Sequence, residues 1–215
     1  MTALLRFDPV ACLAALDDAK AHGSARGYRH PLGFWHIAIP SLGAHKLRLH
    51  VWDSNFPRED LAMPQIHNHA FRFTSLVLRG AVLHTPFLVQ PADGASREAY
   101  CQVRRVEQRG DQTLLVRTGE HLMAQRRVSK VYSTGHLYFY PENAYHLSES
   151  VGETPAMTLV VAEPTDSVTS CVLTQDEAGT LAWRKRWLSE TLLSAFLAEA
   201  STRLAAMHAL VGVLE

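Results

Sequence analysis

From residue 33 to residue 173 the chain is a succession of short strand-like runs separated by turn signals, and this pattern limits the fold more than anything else in the sequence. The clearest run is 45–52, where Leu47, Leu49 and Val51 alternate with Lys46, Arg48, His50 and Trp52. A period of two puts the sets on opposite faces of an extended strand. The aliphatic set belongs to a core; the other faces either solvent or a polar pocket. Further runs fall at 33–39, 64–80, 81–89, 100–106, 113–117, 121–132, 136–140, 144–150, 157–163 and 168–173. Turn signals lie at 40–43 and 90–94, and a loop with two prolines at 53–64. Many short strands at such spacing predict a mainly β sandwich or barrel.

Helical spacing appears only at the two ends. Val10, Leu13 and Leu16 predict a helix over 8–22, with Asp8 as its cap, Pro9 at the first helical position and Gly23 as its stop. A polar, Gly-rich and basic turn is expected after it. Beyond Gln175, Leu181, Leu188, Leu192, Leu193, Phe196 and Leu197 recur at three and four residues, which predicts two helical segments covering the outside of the barrel. No linker interrupts the chain. The expected organisation is one domain over 1–215: a helical lead-in at 1–32, the barrel at 33–173 and C-terminal helices at 174–215.

Lys and Arg number 21, as do Asp and Glu, so the overall field favours neither nucleic acid nor an anionic membrane as partner. A small molecule fits better, and a homo-oligomer is compatible. No apolar run approaches the length of a membrane span, and residues 1–9 lack the pattern of a secretory signal. Cys12, Cys101 and Cys171 lack metal-type spacing and fit reduced thiols, so the expected location is cytoplasmic.

The most chemically loaded stretch lies inside the most strand-like sequence, at 64–80. His67 and His69, one residue apart on an extended backbone, project to one face and can share an ion. Two ligands rarely hold an ion alone. The third expected ligand is His146, which closes the segment 135–146, where Gly135, Pro141 and His146 surround a strand, a tight turn and another strand. His22, His30, His36, His45, His121 and His208 read as ordinary core or surface residues.

Segment 135–146 resembles the second motif of the cupin superfamily (Gly, five residues, Pro, one residue, Gly, two residues, His), with Asn143 in place of the second Gly. Asn tolerates the left-handed backbone better than most residues. The first cupin motif is matched by His67, His69 and Gly80, while its Glu falls at Phe73 or Thr74 and its opening Gly at Leu61. The resemblance implies a cupin-type jelly-roll barrel. Without the Glu, three neutral imidazoles would leave a divalent ion its full charge, as in the cysteine and thiol dioxygenase branch. That branch implies Fe(II), dioxygen as co-substrate and a small acidic or thiol-containing substrate; Zn, Ni or Mn would also suit the ligands. Arg48 and His50 become substrate-binding candidates, with a solvated basic face as their alternative. Phe71 and Phe73 share the ligands' parity and are expected as pocket wall. Tyr138 and His136 alternate with Leu137 and Phe139, and either pair could face the metal. Two other functions stay open: an isomerase or decarboxylase with a Lewis-acid metal, or a cupin that binds a small ligand without turnover.

Overall fold

The computed structural model describes residues 7–42, 45–52, 66–92, 100–164, 169–175 and 179–211. In chain order the elements are α1 (Pro9–His22), β1 (Arg26–His30), β2 (Phe34–Leu42), β3 (His45–Trp52), β4 (Ile66–His67), β5 (Phe71–Arg79), β6 (Ala81–Pro91) and β7 (Tyr100–Arg109). There follow β8 (Gln112–Arg126), β9 (Lys130–Ser133), β10 (Leu137–Tyr140), β11 (His146–Ser150), β12 (Ala156–Pro164), β13 (Cys171–Thr174), β14 (Leu181–Arg184) and α2 (Glu190–Val211). The strands form a six-stranded sheet in the order β1-β2-β3-β12-β5-β10 and an eight-stranded sheet in the order β14-β8-β7-β13-β4-β11-β6-β9. The fold is mainly β, two antiparallel sheets in a jelly-roll arrangement with two helices outside. The loop expected at 53–64 and the end of the turn expected at 90–94, residues 93–94, lie outside the described residues; residues 90–91 belong to β6.

The alternation in β3 decides where the core sits. Leu47, Leu49 and Val51 are buried on the outer face of the six-stranded sheet, together with Ile37, Leu78, Met157 and Leu159. Against them pack Cys12, Leu16 and Ala19 of α1 and Leu197, Ala200 and Leu204 of α2. The helices therefore cover this sheet, and Arg48, His50 and Trp52 are left facing the space between the sheets. Asp8 Oδ1 accepts from the backbone N–H groups of Val10 and Ala11 at 3.0 and 3.1 Å, and Gly23 closes the helix in the left-handed conformation. Of the expected apolar set, Leu16 is buried and Leu13 packs against the core, whereas Val10 is 59% exposed. Small Cys12, Ala15 and Ala19 let the helix approach the sheet closely. Arg79 of β5 ties α2 down through Glu199 at 2.7 Å, and Glu199 also accepts from Arg203 at 2.8 Å.

Three regions differ from the sequence reading. Residues 26–30 form an edge strand rather than part of a turn, pairing with β2 from Arg26↔Ala38 to His30↔Phe34. Its polar composition hides it, since an edge strand with one face on a cavity needs little apolar sequence. The expected pair of C-terminal helices is one helix preceded by β14, whose Leu181 and Trp183 alternate on the edge of β8. The runs expected at 113–117 and 121–132 are divided differently: one continuous strand, β8, ends at Arg126, and residues 130–132 belong to β9.

After β14 the chain crosses to the other sheet. Arg29 N–H donates to the Arg186 carbonyl and Leu188 N–H to the Gly27 carbonyl, both at 2.8 Å. Residues 181–188 thus join the two sheets at one end. Leu188 Cδ1 fills the place that a β-carbon on Gly27 would need. No helix among the described residues is long and apolar enough to cross a membrane.

Candidate metal centre

The two histidine sources meet through strand pairing. β4 ends at His67 and lies beside β11, where His146 is the cross-strand partner of His67. His69 follows β4 by two residues. The ring centroids of His67 and His146 are 4.4 Å apart, those of His67 and His69 4.8 Å, and those of His69 and His146 5.0 Å. One ligand atom from each lies within 4.8 Å of the others, and no carboxylate joins the group among the described residues. Glu163, a conceivable fourth ligand, instead accepts from Arg72 at 2.7 Å.

The backbone around the ligands is held by two asparagines. Asn143 has φ 63°, the left-handed turn conformation for which the family pattern has Gly. It also does what Gly cannot: its side-chain oxygen accepts from Asn68 Nδ2 at 2.8 Å. Asn68, buried between the two ligands of the pair, accepts from Cys171 N–H at 2.6 Å, and its own N–H donates to the Cys171 carbonyl at 3.0 Å. Asn143 N–H donates to the His69 carbonyl at 3.0 Å. The segment His67–His69 is therefore tied on one side to β13 and on the other to the turn that delivers His146.

Aromatic rings surround the ligands. Phe71 stacks on His69 at 4.5 Å, and Phe73 lies 5.5 Å from His69 and 6.0 Å from His146. Phe73 thus occupies the neighbourhood where the family pattern would place a carboxylate. Of the alternating set in β10, Tyr138 is buried and lines the cavity, whereas Leu137 is 52% exposed and His136 is exposed as well. His84, which the sequence did not single out, stacks on His146 at 4.8 Å and bonds Ser148 Oγ through Nδ1 at 3.1 Å. Its position across β6–β11 follows only from pairing.

A cavity of about 600 Å³ opens from the three histidines along the inner face of β1, β2 and β3. Arg48, His50 and Trp52 line it, so the polar face of β3 is pocket from Arg48 onward, while Lys46 is exposed. The Arg48 guanidinium lies 4.1 Å above the Phe71 ring and has no ion pair among the described residues. His30 and His36, read from sequence as ordinary, line the cavity too, with His36 5.1 Å from Tyr28 and 5.4 Å from His50. No Asp or Glu is among the lining residues described.

Burial, and then the charge of neighbouring histidines, hold His69 and His146 well below the usual imidazole range; burial and Arg48 push His50 down to about 3. These imidazoles are neutral at pH 7, the form in which histidine ligates a metal. The three converging imidazoles, with Nδ1 of His146 turned toward the Ala144 carbonyl at 3.4 Å, fit a divalent ion bound through the opposite ring nitrogen.

The likeness to solved structures is one of fold. The DMSP lyase DddQ from Ruegeria pomeroyi DSS-3 shares 15% identity, with TM-score 0.40 over 83% of this chain and 82% of that one. Hydroquinone 1,2-dioxygenase PnpCD, in complex with Cd2+ and 4-hydroxybenzonitrile, shares 11% identity, with TM-score 0.36 over 77% of this chain and 82% of that one. Hydroxypropylphosphonic acid epoxidase from S. wedmorenis shares 11%, with TM-score 0.36 over 63% of this chain; the match spans about half of that protein, 54%. No protein-family model and no curated protein matches the sequence. The site is accordingly interpreted from its own geometry.

Proposed function

We propose that this protein is a metal-dependent oxygenase that holds Fe(II) on His67, His69 and His146 and acts with dioxygen on a small acidic or thiol-containing molecule. The observation that carries the reading is the pairing of a three-imidazole cluster with a cavity that contains Arg48 and no described carboxylate. A bound ferrous ion would supply open positions for an anionic substrate atom and for dioxygen.

The chain's own residues do the rest. Arg48, held over Phe71, presents a planar fork suited to a carboxylate, and its charge is little screened inside the cavity. His50, neutral beside it, adds a hydrogen-bonding group without competing for the anion. Phe71 and Phe73 keep water from the ligands, which strengthens every electrostatic contact to the substrate. Fixing one end of the substrate on Arg48 orients its reacting atom toward the histidines.

The test joins two measurements. Elemental analysis of protein purified without added metal should find one divalent ion per chain, absent from His146→Ala. Oxygen uptake should then appear with a member of a panel of small thiols and carboxylic acids. Turnover that persists under anaerobic conditions would move the reading to Lewis-acid isomerisation or decarboxylation.

A further inference from the structure

The cavity contains a second cation, at its other end. Lys185 follows β14 where the chain crosses between the sheets, and it lines the cavity. Its Nζ lies 5.2 Å from the centroid of Tyr28 and 5.8 Å from that of Trp187, and donates to the Gly110 carbonyl at 3.3 Å. An ammonium has three donors, so two remain. The nearby Asp111 carboxylate feels the charge of Lys185 but is hydrogen-bonded by Arg184. Among the described residues Lys185 forms no ion pair.

The strand register shows how the strands beneath the two cations are spaced. Tyr28 of β1 pairs with His36 of β2, and His36 with His50 of β3. Lys185 therefore sits over a strand two spacings from the one that carries Arg48, about 10 Å across the sheet. Two groups that line the cavity from the same sheet also lack partners among the described residues. Trp52 is 6% exposed, lines the cavity from the same face of β3, and its Nε1–H has no acceptor among the described residues. Nδ1 of His36 is buried without a partner as well. A buried tryptophan N–H normally finds an acceptor, and leaving it without one is unfavourable.

We propose that Lys185 is a specificity-determining residue, so that the substrate is a two-ended anion with one acidic group toward Arg48 and the histidine cluster and the other at Lys185. The proposal rests on the anion-binding reading of the same site given above. It narrows the substrate class from small acids to diacids.

The experiment uses the full chain loaded with Zn(II), so that no turnover interferes, and reads affinity by calorimetry. The probes are succinate, glutarate, adipate and pimelate, each compared with the monocarboxylate of equal chain length. The parent should prefer a diacid that is long enough to reach from Arg48 to Lys185 by on the order of ten- to a hundredfold, as expected for one added charge-assisted contact. Lys185→Gln should abolish that preference and leave monocarboxylate binding unchanged, and Lys185→Arg should retain it. Equal affinities for diacids and monoacids in the parent would overturn the proposal without any variant, while leaving the anion site at Arg48 standing. A preference that survives in Lys185→Gln would overturn it too. If neither class binds to the parent, the anion reading of the whole cavity falls, and this inference falls with it.

Discussion

At the scale of single residues, Asn143 and Arg48 carry the most telling chemistry. Asn143 occupies a turn position where the family pattern has Gly, and a glycine there would meet the backbone requirement at no steric cost. What Gly would remove is the acceptor for Asn68 Nδ2, a buried amide between two ligands. Asn143→Gly should therefore lower stability by about 1 to 2 kcal/mol in chemical denaturation and weaken metal binding roughly tenfold or more in a chelator competition. Unchanged metal affinity would mean that Asn143 serves the backbone alone. Arg48→Ala should cost about 2 kcal/mol of affinity for small carboxylates with metal content unaltered, since its charge is partly buried and unpaired by any carboxylate among the described residues. The sequence presented Arg48 with two faces open to it, solvent or pocket. Only the packing of Leu47 and Leu49 beneath the helices settles which face is which.

At the scale of elements, α2 and the turn at Gly80 test how the six-stranded sheet is supported. Leu204 is 1% exposed, packed with Leu197 and Ala200 against the outer sheet face. Leu204→Ala should destabilise the protein by about 2 to 4 kcal/mol, from lost burial plus the cavity left behind. Gly80 sits at φ 69° between β5 and β6, where an added β-carbon would lie 2.8 Å from the Pro155 carbonyl oxygen. Gly80→Ala should therefore lower the melting midpoint by more than an ordinary Gly→Ala change, which costs or gains about 1 kcal/mol; an unshifted midpoint would show that the turn relaxes freely. The helix over 9–22 was legible because its signals, Asp8, Pro9 and Gly23, act within a few residues of one another. β1 and β14 were not, because an edge strand is defined by the neighbour it pairs with: β2 for one and β8 for the other.

At the scale of the whole molecule, residues 181–188 bond to both sheets, and α1 and α2 share one core with the sheet beneath them. Unfolding should then be a single cooperative transition, with circular dichroism and tryptophan fluorescence giving coincident curves; two separated transitions would contradict one-domain behaviour. Adding Zn(II) should raise the midpoint of the parent and leave His146→Ala unmoved, because only a ligand that binds the native state shifts the equilibrium. The sequence by itself determined what depends on local period and spacing: the mainly β class, the two faces of β3, the cap of α1 and the pairing of His67 with His69. It also pointed to His146, because the turn before that residue has its own signature. Tertiary structure alone decided which polar face became a cavity, that His30, His36 and Lys185 line it, that His84 backs His146, and that Asn68 is clamped between β13 and a turn. The reason is physical: these arrangements are made across strands, between residues as far apart in the chain as Asn68 and Cys171, and a periodic pattern fixes the direction of a side chain without naming what stands opposite.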